Sequence, residues 1–244
     1  MENKFIITHD WLRDKGAYNN DIEAFDKHFP DGENNAIKVL KMCADWGHTT
    51  LGIWLVGKLP FCETSLEIQN TKDNLFYPGN VYIKNDVNLD NRIIFIKGEL
   101  KIDGKLIISG KGNIYAKCVY ANEIYMNGIL DIRANMVNAE RINISAMAGI
   151  TAECINTNEI KLNNSASIRS NIKASNLSIS DSAIIAGDIK AESINLTGGE
   201  IYGDVVSDNL TNNRGRITGD VKANEITIIN GGTISRKINT LHFP

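Results

Sequence analysis

Few side chains in this chain could do acid–base, metal or thiol chemistry, and they are badly spaced for it. The histidines are His9, His28, His48 and His242, so no imidazole falls between residues 49 and 241. His9, Asp10, His28 and Cys43 are of zinc-ligating types, but their spacing fits no zinc motif, and the histidines are expected on helix surfaces. Four cysteines make no disulfide framework. Asp188, Asp204 and Asp220 each follow a glycine. Such a row could take a cation or a basic partner, but Gly-Asp is also a solvated turn, and the turn is the expectation. Asp131 with Arg133, and Glu140 with Arg141, fall short of the carboxylate cluster of a polysaccharide-cleaving groove. No catalytic residue, metal ligand or cofactor-binding residue is assigned, and no enzyme is expected.

A recognition surface is easier to place. Residues 1–65 hold 7 Lys and Arg against 10 Asp and Glu, whereas residues 66–244 hold 19 of each. The net charge of −3 therefore sits in the first quarter, which carries Asp10, Asp14, Asp21, Glu23 and Asp26. All three tryptophans, Trp11, Trp46 and Trp54, lie there too. Exposed tryptophans dominate protein interfaces; two of these three are expected in the core of their own module. Nothing marks a nucleic-acid binder, which would be basic.

The elements that position these residues divide the chain into an α-helical module, 1–65, and a β domain, 66–244. Thr8 or Asp10 can cap a short helix that carries Trp11 and Leu12 and stops at Gly16. Asn20 or Asp21 can cap a second, with Ile22, Phe25 and Phe29 at helical spacing, closed by Pro30 and Gly32. A third runs over about 35–45, and a fourth starts at Thr49 or Thr50 and ends at Pro60. Four short helices in this length make a small bundle.

The long segment repeats. Apolar pairs of the form I-x-I occur at Leu106/Ile108, Ile124/Met126, Ile142/Ile144, Ile160/Leu162, Leu177/Ile179, Ile194/Leu196 and Ile226/Ile228, with a weaker Leu210 before the last. A second column runs from Val119 and Val137 to Val221 and Ile238, and a small-residue column (Ala121, Ala139, Thr157, Ala174, Ala191, Ser207, Ala223) follows two residues behind. A third starts at Ile114 and Ile132, passes Ile184 or Ile185, and ends at Ile234. Three apolar columns every 16–18 residues mean three short strands per turn of a parallel β-solenoid, with aliphatic ladders inside and small residues at a tight corner. Cys118 and Cys154 then share a column with Met136 between them, two coils apart and out of disulfide reach.

The spacing within a coil is uneven, so it departs from the hexads of left-handed acyltransferase helices, which would also carry a coil histidine. A right-handed β-helix is the reading. Calcium-binding nonapeptides are absent. The recurring Gly187-Asp188-Ile189, Gly203-Asp204-Val205 and Gly219-Asp220-Val221 units resemble the bactofilins, over about residues 80–238 and best in the last third. That resemblance implies a right-handed β-helical, polymer-forming cytoskeletal scaffold with no catalytic residue. The strings DWLRDKGAY (10–18) and CADWGHTTLGIWLVGKL (43–59) are similar to a small helical module at the N-terminus of assorted bacterial and phage proteins, with Tyr18 where those carry Cys. That likeness implies a mobile-element setting.

Open solenoid ends invite edge pairing. The helical module is expected to cap one end, residues 241–244 to plug the other, and Ile226, Ile228, Ile234 and Ile238 to carry self-association on the last coils. The expected protein is a non-enzymatic, self-associating scaffold with protein partners, a homo-oligomer, without cofactor, metal, nucleic acid or membrane span. No apolar run suits a signal peptide, so a cytoplasmic location is expected. The alternative is a phage or mobile-element effector that inhibits a host defence complex by protein–protein binding; a glycan-binding solenoid ranks third because aromatic rows are missing.

Overall fold

The computed structural model describes residues 5–240, so the plug expected from residues 241–244 lies outside the described residues. A three-residue strand, β1 (Ile6–Thr8), leads into α1 (His9–Asp14), where Thr8 Oγ1 accepts the N–H of Trp11 at 3.0 Å and caps the helix. The second helix, α2 (Asn19–His28), has Tyr18 at its cap position with no side-chain cap, two or three residues before the expected Asn20 or Asp21. Strand β2 (Glu33–Asn35) returns antiparallel to β1 and hands over to α3 (Ala36–Asp45), capped by the Asn35 side chain. The bundle closes with α4 (Thr49–Lys58). Leu12, Phe25, Leu40, Leu51 and Leu55 fill its core. The β1–β2 pair was not anticipated, because three-residue strands are too short to show a period.

The rest is a parallel β-solenoid of about ten turns. It begins with β3 (Cys62–Ile68), β4 (Leu75–Tyr77) and β5 (Gly79–Ile83). From there each coil lays one strand on each of three faces. The first face runs through residues 99–102, 118–121 and 136–139 to 238–240. The second runs through 105–110, 123–128 and 141–146 to 225–229, and the third through 93–96, 113–115 and 131–133 to 233–234. The rungs are parallel, with Val119 on Val137, Ile124 on Ile142 and Ile114 on Ile132, and the register shifts at Cys62/Leu66, Thr151/Cys154 and Asp181/Ile184. Burying each Ile or Val of these ladders contributes about 1.5–3 kcal/mol.

Coil length changes along the axis. Register partners are 19 residues apart at Phe76/Phe95 and 20 at Ile94/Ile114. They are 18 apart at Val119/Val137, 16 at Ile189/Val205 and 17 at Val221/Ile238. The first coils therefore escape a search for a 16–18-residue period. Ile185, not Ile184, is the buried member of the third column: it pairs with Ile201 after a register shift, while Ile184 points outward. The weak repeat at Leu210 has a cause. Asn212 takes the inward position of that pair, fully buried, and its Oδ1 accepts from Gly215 N–H at 2.9 Å while its Nδ2 donates to the Thr233 carbonyl at 3.1 Å. A satisfied buried amide is tolerated where an unsatisfied one would not be.

The helical module is mounted on the third face. Alternation along β4 sends Tyr77 into the solenoid core and Phe76 outward, into the bundle core. Phe76 meets α4 at Gly52, where a Cβ would stand 2.6 Å from the ring. Ile93 and Phe95 extend the contact onto the next coil. Ile37 of α3 packs against both cores and lines a small pocket with Leu66 and Tyr77 of the first coil.

Candidate assembly and recognition surfaces

The corner between the third and first faces is held by a side-chain ladder. Asn171 Oδ1 accepts the N–H of Asp188 at 3.0 Å, Asp188 that of Asp204 at 2.9 Å, Asp204 that of Asp220 at 2.8 Å, and Asp220 that of Lys237 at 3.2 Å. The row of carboxylates is thus a set of corner caps, each bound to the next coil, and the turn reading of Gly-Asp describes it. The preceding glycines are packed backbone to backbone: a Cβ on Gly203 would collide with the Gly187 carbonyl, and one on Gly219 with the Gly203 carbonyl. Sequence reading found the three aspartates but missed Asn171 and Lys237, which start and end the ladder in the same column.

At the last coils, Ile226 and Ile234 are half-buried against the solenoid core, while Ile228 and Ile238 are exposed, as is the neighbouring Ile229. On the helical module the tryptophans separate. Trp11 packs edge-on against Phe5 at 5.4 Å and Trp54 at 6.1 Å, both on the bundle core. Trp46 is 69% exposed and lies over His28 at 4.8 Å, with His48 edge-on to His28 at 5.7 Å. Asp10, Asp14 and Glu23 are exposed. Asp26 is tied to His9 Nδ1 at 2.9 Å, and Arg13 reaches the other ring nitrogen, so these charges staple α1 to α2. Asp21 is half-buried, and burial raises its pKa, opposed by His48.

Burial, with the Asp21 charge second, pushes the Cys43 thiol up to about 12, so it is no reactive thiolate. Cys118 and Cys154 each pair in register with Met136, two rungs apart. Among the described residues no three His, Cys, Asp or Glu side chains are grouped to hold a metal ion. Tyr115, Tyr120 and Tyr125, close in sequence, sit on three different faces.

One electrostatic feature escaped the sequence reading. Lys105, Glu123, Arg141 and Glu159 stack in register on the second face with alternating sign. Glu123 is buried, accepts from Tyr125 at 2.6 Å and Lys105 at 3.1 Å, and pairs with Arg141. These donors, Tyr125 first, hold its carboxyl at about 2. These charges recur at a step of 18 residues, the same step as the apolar columns beside them.

Parallel rungs, packed corners and surface patches define a mainly β, parallel β-solenoid protein. Residues 165–239, the coils that carry the Gly-Asp ladder, match the family model described as bactofilin, polymer-forming cytoskeletal. The β-helix is bactofilin-like, and the matched family is a structural one. No curated protein and no solved structure matched the chain. No helix among the described residues is long and apolar enough to cross a membrane.

Proposed function

We propose that the chain is a non-enzymatic scaffold that self-associates through the last coil of its solenoid, with the helical module restricting growth at the first. The observation that carries this is the match of residues 165–239 to a polymer-forming family on coils whose final strands leave Ile228 and Ile238 exposed. Apolar side chains beside a strand edge favour pairing with a second copy. The test is light scattering of the full chain over a concentration series, with electron microscopy of the same samples. The wild type should grow in mass with concentration, and Ile228→Lys with Ile238→Lys should stop that growth without changing the circular dichroism. A wild type that stays monomeric throughout overturns the reading.

A second reading, recognition of a protein partner by the helical module, is favoured by Trp46. A tryptophan this exposed stabilises its own fold little and suits an interface. Trp46→Ala should remove such binding while leaving the melting temperature in place.

A further inference from the structure

The small-residue column builds a groove that the scaffold reading leaves unused. Ala121, Ala139, Thr157 and Ala174 follow one another on successive rungs where the first face turns into the second. Side chains this short leave a trough of about 600 Å³ along the solenoid axis. A further 200 Å³ continues it beside Ala191 and Ser207.

The walls of the trough are polar. Tyr120, Asn138 and Asn156 stand in register on one wall, each half-buried, and Asn156 Nδ2 donates to Asn138 Oδ1 at 3.0 Å. Asn122 and Asn158 stand on the turn wall. The charges nearly cancel: Lys101, Lys173 and Lys190 are set against Asp103, Glu140 and Glu192, with Asp208 at the far end. A groove so balanced selects neither a polyanion nor a polycation. It also offers little to a peptide backbone. The rungs beneath it already pair with the coils on either side, so no strand edge opens into the trough and strand addition is excluded.

A ligand for this groove must bring its own donors and acceptors, carry no net charge and run straight. Side-chain amides both donate and accept, which suits paired hydroxyls. The half-buried Tyr120 ring gives an apolar face with a polar tip. Rungs recur about every 4.8 Å, close to the advance of one sugar in an extended β-linked hexose chain. We propose that this groove binds an uncharged, extended β-linked hexose chain along the solenoid axis. The site is lateral, so it stays open whether or not the coil ends associate, and its test is independent of assembly.

The full chain is titrated by calorimetry with cellohexaose, fully N-acetylated chitohexaose and their disaccharides, and with polygalacturonate as a charged comparison. One neutral hexasaccharide should bind, at least about tenfold tighter than its disaccharide, because added sugars engage added rungs. Asn138→Ala with Asn156→Ala should weaken binding at least about tenfold, the worth of one or two hydrogen bonds. Asn158→Ala, at an exposed corner position, should weaken it in the same direction. Lys222→Ala, on the same face beyond the groove, should leave it unchanged. No heat with either neutral hexasaccharide, tighter binding of polygalacturonate, or binding indifferent to all the asparagine changes overturns the proposal.

Discussion

Asp204 Oδ1 lies 2.8 Å from the backbone nitrogen of Asp220, one coil further along, and Asp188 holds the nitrogen of Asp204 at 2.9 Å in the same way. Three carboxylates one rung apart would repel, yet each accepts a backbone N–H and faces solvent, where screening is strong. The acceptor is what the corner needs, and the negative charge is incidental to it. Asn171 shows this directly, doing the same work without a charge.

Asp204→Asn keeps the acceptor and removes a like charge. It should change stability by less than about 0.5 kcal/mol, whereas Asp204→Ala should cost about 1 kcal/mol for one lost hydrogen bond. Urea midpoints of the two variants separate these outcomes. Equal losses would mean that the charge, not the geometry, holds the corner.

Gly203 is fixed by a harder constraint. A Cβ there would strike the Gly187 carbonyl, which belongs to the stacked backbone and cannot swing aside. Gly203→Ala should cost about 1–3 kcal/mol, the range for overpacking. A thermal melt or urea titration measures it; an unchanged midpoint would show that the coils slide apart freely at this corner.

The architecture was legible because it is written in side-chain types: isoleucine columns, small corners and Gly-Asp turns recur at nearly constant steps. What escaped has two physical causes. Coils whose partners are 19 or 20 residues apart break the period, as at Phe76/Phe95 and Ile94/Ile114. Features made across rungs are invisible to a search for apolar repeats, as with Lys105, Glu123 and Arg141. Tyr115, Tyr120 and Tyr125 are five residues apart along the chain yet lie on three different faces, a separation that spacing alone does not show. The placement of the helical module on the third face could not be read either, since Phe76 is an ordinary strand residue until its neighbour Gly52 is known.

The Glu123 cluster should be acid-sensitive within a defined window. Its folded pKa, about 2, lies below the ordinary glutamate value of 4.5. The ionised carboxylate is therefore the form the fold favours. Its contribution is complete above pH 4.5 and is lost as pH falls toward about 2. Urea midpoints measured through that window should fall more steeply for the wild type than for Glu123→Gln, which has no carboxyl to protonate. Parallel curves would show that Lys105 and Arg141 do not stabilise the ionised form.

Two glycines of α4 provide the sharpest test of how the helical module is docked. Gly52 faces Phe76 so closely that an added methyl must displace the ring, whose carbons would stand 2.6–2.9 Å away. Gly57, in the same helix, has nothing within 4 Å of the same position. Intrinsic helix propensity alone favours alanine at both sites, by up to about 1 kcal/mol. Gly57→Ala should therefore be neutral or stabilising. Gly52→Ala should be destabilising by about 1–3 kcal/mol, because Phe76 is anchored in a strand and cannot retreat without disturbing the rung it shares with Phe95. Differential scanning calorimetry can also show where the loss falls. If Gly52→Ala splits one transition into two, the Gly52–Phe76 contact is what couples the bundle to the solenoid. If both variants melt as the wild type does, the helices are held on the third face by Ile93, Phe95 and Ile37 instead.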